Sequence, residues 1–124
     1  GGVRIGTAEI YRQVETLDEI ADSIVAGQSR DRDQRIVLLV VLNPGYALDE
    51  ALARRIRERI RAGATPRHVP AKIAVIDEVP YTRSGKKVEL AVARVLDGER
   101  VENREAITNP ESLDRIAEMP ELFA

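Results

Sequence analysis

The chain has no cysteine, no tryptophan, one phenylalanine and a single histidine, His68. The lack of cysteine excludes disulfides and thiolate metal sites. Imidazole metal sites draw on several histidines, so we predict no metal held by side chains of this chain. No apolar run approaches the roughly 20 residues of a membrane helix. We therefore expect no membrane partner.

Neither sign of charge is in large excess, since the net charge is −2. The distribution is uneven. Residues 54–68 hold six arginines and one acid, whereas residues 97–124 hold eight acids and three arginines. Nucleic-acid binding by the arginine-rich segment is one alternative. The acidic tail and the scarcity of aromatic residues for base stacking argue against it, and we predict no nucleic-acid partner.

The length of 124 residues fits one domain, and 44% apolar residues allow a modest core. With few aromatic residues, that core must consist of valine, isoleucine, leucine and alanine. The sequence shows no signal peptide and opens on Gly1 without an initiator methionine. We expect part of a longer, cytoplasmic protein.

Hydrophobic periodicity predicts an alternation of helices and strands. The continuous apolar run "RIVLLVVL" at 35–42 is typical of a strand buried on both faces. In the preceding strand, the pattern places Ile20, Ile24 and Ala26 on one side. The predicted helices are 7–16, 49–62 and 87–96; the predicted strands are 20–28, 35–42 and 72–79; and residues 27–33 form a polar connection.

This order indicates an α+β fold: a small domain with a roughly three-stranded central sheet flanked by helices. We assign residues 1–96 to that domain. Residues 97–124 are polar and are predicted to form an irregular C-terminal extension that either lies on another part of the protein or is partly disordered.

The stretch "PYTRSGKKVEL" at 80–90 is the most informative motif. Gly85 permits positive φ at the tip of a turn, and Lys86 follows with a compact positive charge suited to a carboxylate or phosphate. The motif is not a phosphate-binding P-loop, because Pro80 stands where that loop needs a glycine. The alternative is a solvated turn whose lysines have no ligand.

The longer stretch "VPYTRSGKKVELAVARVL" resembles the C-terminal signature of the adenylate-forming enzymes, which include the acyl-CoA synthetases. The opening "GGVRIGTAEIYRQV" resembles the stretch that follows the interdomain hinge of that family. The resemblance covers residues 1–96 and implies the small mobile domain of such an enzyme. It also implies a nucleotide-binding domain upstream as the main partner.

After the signature, "VENREAITNPESLDRIAEMPEL" resembles the C-terminal extension of the family members that activate acetoacetate. This resemblance implies an acid–CoA ligase for acetoacetate. Two alternatives stay open: the same domain of an acetyl- or propionyl-CoA synthetase, or a non-catalytic interaction domain.

Membership would imply two reactions, in which ATP with Mg²⁺ activates the acid as an acyl-adenylate and coenzyme A then displaces AMP. Both ligands would bind mainly to the upstream domain, so the chain alone is expected to be inactive. The small domain would rotate between the two steps. The resemblance also implies a place in fatty acid and lipid metabolism.

Lys86 matches the lysine that the family uses for adenylation, where it would bind the carboxylate and the α-phosphate. Acyl-CoA synthetases undergo reversible acylation at that lysine, which implies an acyltransferase and a deacylase as further partners. Lys87 begins the following helix and is expected to point elsewhere.

Three further positions match family contacts with coenzyme A or the nucleotide. Gly2 would line the channel for the pantetheine arm, Arg4 would lie near the phosphates, and Arg61 would contact the coenzyme A nucleotide. The alternatives are an ordinary loop glycine and solvent-exposed arginines.

Overall fold

The computed structural model describes residues 6–124. Within this range, seven helices and strands follow one another, joined by loops and short 3-10 turns. They are α1 (Thr7–Val14), β1 (Ile20–Arg30), β2 (Asp33–Leu42), α2 (Glu50–Gly63), β3 (Lys72–Val75), α3 (Glu89–Leu96) and α4 (Glu111–Ala117). The predicted α+β class and three-stranded sheet are confirmed.

The sheet has the order β1-β2-β3, with β1 and β2 antiparallel and β2 and β3 parallel. Strands β1 and β2 form a hairpin in which Arg30 pairs with Asp33. The two residues between them, Asp31 and Arg32, have φ of 49° and 69°, as a tight two-residue hairpin turn requires. The polar connection predicted at 27–33 is thus wrong in length, because both strands continue almost to the turn.

A bulge at the start of β1 corrects another prediction. Ile20 pairs with Leu42, but Asp22 pairs with Val41, so β1 has one extra residue here. An extra residue reverses the alternation of side chains. Ile20 therefore packs on the opposite face of the sheet from Ile24, and not on the same side as the periodicity predicted.

Helix α2 makes the parallel connection between β2 and β3. The Asp49 carboxylate accepts a hydrogen bond from the Leu52 amide at 2.8 Å and caps the helix. Buried Leu52, Ile56 and Ile60 lie on one side of α2, as the sequence predicted.

Helices cover both faces of the sheet. Helices α1 and α2 pack on one face, whose core consists of Ile10, Val14, Leu17, Ile20, Val25, Ile36, Leu38, Val40, Leu52, Ile56 and Ile60. Helices α3 and α4 pack on the other, with Ile24, Ala26, Val37, Leu39, Ala74, Ile76, Val79, Val92, Leu96, Ile107, Leu113, Ile116 and Leu122. Strand β2 supplies both cores, which explains its unbroken apolar run.

The segment 97–124 is ordered in the structure and not partly disordered. It contains α4, and its Ile107, Leu113, Ile116 and Leu122 are each at most 5% exposed within the core of the second face. The extension therefore lies on the same domain as the strands. The boundary at residue 96 stays a prediction.

Within residues 6–124, the helices are all too short or too polar to cross a lipid bilayer.

Candidate functional site

A tight turn carries Lys86. Tyr81 and Lys87 form an antiparallel bridge, and the Thr82 amide donates to the Lys86 carbonyl at 2.8 Å. The Gly85 amide closes the turn onto the Thr82 carbonyl at 2.9 Å. Gly85 has φ of 84°, a conformation that favours glycine. The backbone of this turn, which we call the Lys86 turn (residues 82–86), is thus held at both ends.

The Thr82 hydroxyl further fixes the turn, because it accepts a hydrogen bond from the Lys86 amide at 3.1 Å and lies 2.9 Å from the Ser84 hydroxyl. The Lys86 side chain is exposed. Its ammonium forms no ion pair or hydrogen bond within residues 6–124. Because its backbone is fixed and its ammonium is unpaired, Lys86 is suited to bind an anionic ligand.

Lys87 behaves differently from its neighbour. Its ammonium lies 2.9 Å from the Glu15 carboxylate and 3.5 Å from the Asp22 carboxylate. It also lies 3.7 Å from the centre of the Tyr11 ring, a cation–π contact. The Lys87 side chain is 20% exposed. These contacts agree with the prediction that Lys87 points in a different direction from Lys86. Through them, Lys87 connects the turn to α1 and β1.

Two tyrosines extend this network. The Tyr11 hydroxyl donates to the Glu89 carboxylate and accepts from the Val25 amide at 2.9 Å. The Tyr81 hydroxyl donates to Asp22 at 2.6 Å. Burial, followed by the hydrogen bond to Glu89, raises the pKa of Tyr11 well above its ordinary value.

Burial and the hydrogen bond to Asp22 likewise raise the pKa of Tyr81. Both hydroxyls therefore stay protonated at neutral pH and act as hydrogen-bond donors to carboxylates. We name the set Tyr11, Glu15, Asp22, Tyr81, Lys87 and Glu89 the Lys87 network.

The Lys87 network was not predicted from the sequence, because it joins α1, β1 and the signature across about 80 residues of chain. One signal was present. The chain has three tyrosines, and two of them belong to this network. In a chain poor in aromatic residues, a buried tyrosine that needs a partner for its hydroxyl indicates a specific polar contact.

Replacing Lys87 with methionine is expected to lower the free energy of unfolding by about 1–2 kcal/mol, because two ion pairs and the cation–π contact are lost while the stem length is kept. Urea unfolding of the 124-residue chain measures this. The control is Arg12→Ala, whose ion pair with Glu9 is exposed on both sides. We expect a loss below about 0.5 kcal/mol there. Equal losses in the two variants would contradict the role of Lys87.

Arg61 lies on the exposed side of α2, in a shallow groove that Arg54, Arg57, Glu50 and Glu58 also line. Among the described residues, those of the Lys86 turn do not line this groove. The groove combines arginines with acids, so its positive charge is partly offset. Gly2 and Arg4 lie outside the described residues.

No group of three or more histidine, cysteine or acidic side chains with metal-site geometry occurs within residues 6–124. Lys86 is the group best placed to meet an anion from outside the domain.

Comparison with known proteins identifies the class. The model of the family described as "AMP-binding enzyme C-terminal domain" matches residues 9–86, which include all three strands of the sheet and end at Lys86. The chain belongs to this family.

The individual relatives share one name that is more specific than the family. The chain is 57% identical over 122 residues to acetoacetyl-coenzyme A synthetase of Rhizobium meliloti, covering 98% of the chain and 19% of the relative. It is 46% identical to acetoacetyl-CoA synthetase of Mus musculus, covering 98% of the chain and 18% of the relative. The chain thus spans about a fifth of the length of the curated relatives it matches.

Solved structures agree in fold. Acetoacetyl-CoA synthetase from Streptomyces lividans superposes with a TM-score of 0.85 at 37% identity, covering 98% of this chain and 19% of that one. An acyl-CoA synthetase from Brucella canis superposes with a TM-score of 0.67 at 22% identity, covering 74% and 17%, and shows the fold alone. The matches that reach 98% of the chain include the extension, which the family model does not.

Proposed function

We propose that this chain is the C-terminal domain of an acid–CoA ligase that activates acetoacetate. The observation that carries the proposal is the exposed Lys86 ammonium, held on a rigid turn without a partner in the described domain. The high identity to enzymes named acetoacetyl-CoA synthetase supports the choice of acid.

The proposed reaction has two steps. In the first, an acetoacetate oxygen attacks the α-phosphorus of ATP, the bond to the β-phosphate oxygen breaks, and pyrophosphate leaves. In the second, the coenzyme A thiol loses its proton and attacks the acyl carbon, and AMP leaves with the electron pair of the broken bond. The products are acetoacetyl-CoA, AMP and pyrophosphate.

Lys86 has a physical reason to act in the first step. The carboxylate and the α-phosphate are both anionic, and negative charge grows on the phosphoryl oxygens as they approach. A single ammonium placed between them reduces this repulsion most where the charge is greatest. Because the described domain does not neutralise Lys86, the charge is available for these anions.

The ligands would be bound mainly by a nucleotide-binding domain of the same longer chain. Mg²⁺, when bound, would neutralise the triphosphate. The described residues offer no cluster of ligands for it, so the phosphates and the other domain would hold it. We propose that coenzyme A and the nucleotide also contact Gly2, Arg4 and Arg61. The exposed position of Arg61 fits this role.

The test is ATP–pyrophosphate exchange by the full-length protein with acetoacetate, acetate, propionate and butyrate. We expect kcat/KM for acetoacetate to exceed the others by about tenfold or more, a range that pocket contacts can supply. Preference for acetate or propionate would assign an acetyl- or propionyl-CoA synthetase. Exchange with none of the acids would favour the interaction domain.

Reversible acylation of Lys86 is part of the proposal, with an acyltransferase and a deacylase as partners. The chain has three lysines, at 72, 86 and 87. Incubation with a lysine acyltransferase and acyl-CoA, followed by mass spectrometry, should show modification mainly at Lys86, because ion pairs hold the Lys87 ammonium. Loss of the charge should slow adenylation about 100- to 1,000-fold, and the deacylase should restore the rate. Greater modification of Lys87 would contradict this prediction.

We also propose a cytoplasmic location and a role in lipid metabolism. The role in lipid metabolism follows from the proposed reaction, since acetoacetyl-CoA is a four-carbon building block. Fractionation of cells that produce the full-length protein tests the location.

A further inference from the structure

The extended segment that leads into the Lys86 turn is paired by the C-terminal extension, along the edge opposite its bridge with Lys87. Thr82 forms a bridge with Ile107, and the Arg83 amide donates to the Ala106 carbonyl at 3.2 Å. The Thr108 amide donates to the Tyr81 carbonyl at 2.9 Å. We name residues 105–109 the strap, because they run beside residues 79–83.

Asn109 ends the strap with two hydrogen bonds from one side chain. Its Oδ1 accepts from the Tyr81 amide at 3.1 Å, and its Nδ2 donates to the Val79 carbonyl at 3.0 Å. A side-chain amide that pairs with both groups of a backbone acts like one more residue of a β-ladder. It fixes residues 79–81 in direction as well as in position.

The strap is itself anchored. Ile107 is 5% exposed and lies in the second core. The Asn109 carbonyl accepts from the Ser112 hydroxyl at 2.8 Å and from the Ser112 amide at 3.0 Å, which ties it to the start of α4. Leu113, one residue further on, is 1% exposed. The strap therefore connects residues 79–83 to the core of the domain.

The Lys86 turn needs such support. On one edge, the segment entering the turn pairs with Lys87 through an isolated bridge and with Lys86 and Val88 through backbone hydrogen bonds. A two-stranded hairpin alone is marginally stable in water, whereas a third strand adds pairing and a fixed register. With the Lys87 network on one side and the strap on the other, the backbone that carries Lys86 is held from two directions.

We propose that the strap positions Lys86 for adenylation, with Asn109 as a positioning residue. This proposal rests on the proposed role of Lys86. The extension would then serve the reaction without touching the substrates. Its contribution is the placement of an ammonium, and a displacement of about 1 Å can slow a positioned reaction about 100-fold.

The test uses the full-length protein with Asn109→Leu, which removes both hydrogen bonds and keeps the number of side-chain heavy atoms. Asn109→Asp keeps the acceptor for the Tyr81 amide and loses the donor to Val79. The matched control is Asn103→Gly. Asn103 lies in the same extension with φ of 58°, which glycine adopts readily, and its side chain makes no capping hydrogen bond.

Three readouts are compared: ATP–pyrophosphate exchange, thioester formation from prepared acetoacetyl-adenylate, and hydrogen exchange of the peptide covering residues 79–87. For Asn109→Leu we expect faster amide exchange in this peptide and an adenylation kcat lower by about 10- to 100-fold. Thioester formation and the Asn103→Gly variant should change less than about twofold. Asn109→Asp should fall between the wild type and Asn109→Leu.

The outcomes separate this proposal from the one before it. If Lys86→Ala abolishes adenylation while Asn109→Leu leaves it unchanged, the strap has no positioning role and the role of Lys86 stands. If both half-reactions of Asn109→Leu fall in the same proportion, Asn109 is structural only and the proposal is overturned. If Lys86→Ala itself leaves adenylation unchanged, the proposed function fails first.

Discussion

Replacing Lys86 with alanine is expected to slow acyl-adenylate formation by the full-length protein about 100- to 1,000-fold, the cost of removing one aligned donor to a developing charge. The reason is that two anions must meet at the α-phosphate, and the described domain offers one unpaired ammonium on a fixed turn for them. ATP–pyrophosphate exchange at saturating acetoacetate and ATP measures the effect on kcat.

The matched control is Lys72→Ala. Lys72 is a half-buried lysine at the start of β3, on a different element from the turn. The Lys72→Ala substitution removes the same charge from the same domain but leaves Lys86 in place. The adenylation kcat of this variant should therefore change less than about threefold. Equal losses in the two variants would show an effect of net charge and not of position, and would contradict the role of Lys86.

Replacing Leu113 with alanine is expected to lower the free energy of unfolding of the 124-residue chain by about 2–5 kcal/mol. Leu113 belongs to the extension and is 1% exposed in the core that β1, β2 and α3 share. Its removal leaves a cavity between α4 and the sheet. Urea unfolding, followed by circular dichroism, measures the loss, with Leu90→Ala as control.

Leu90 lies on α3 and is 69% exposed, so its replacement should change the free energy of unfolding by less than about 0.5 kcal/mol. The two leucines lose the same atoms, and only their burial differs. A loss below 1 kcal/mol for Leu113→Ala, on the order of a surface change, would mean that the extension does not fold as part of the domain core.

The fold was predictable where a pattern is local. Strand β2 is an unbroken apolar run because it supplies both cores, and α2 has its leucine and isoleucines in helical register. The part of the site that was predictable is the turn, where the local conformation requires a particular residue. Gly85 adopts positive φ and Lys86 follows it on the exposed turn. These features need only a few neighbouring residues to specify them.

Features that depend on distant residues were missed. The bulge near Ile20 moves its side chain to the other face, and nothing in the alternation of β1 indicates an extra residue. The strap pairs residue 82 with residue 107, and Tyr11 meets Glu89 across 78 positions. Such contacts depend on how the elements pack, which a single sequence does not specify.

For a related reason, the sequence alone did not decide between the two predictions for the extension, contact with another part of the protein and partial disorder. Its apolar residues are spaced widely among acids, so that composition resembles that of a disordered tail. Four of them nevertheless reach one core because α4 and the turns around it bring them to the same side. These side chains are buried because they pack against the neighbouring sheet, and the sequence of the segment alone does not indicate that contact.

The most direct measurement compares the two half-reactions of the full-length Lys86→Ala protein with those of the wild type. If Lys86 supplies charge to the anions of the first step, acyl-adenylate formation falls at least about 100-fold. Thioester formation from prepared acetoacetyl-adenylate and coenzyme A then stays within about threefold. Unchanged acyl-adenylate formation, or an equal fall in both half-reactions, would contradict that role.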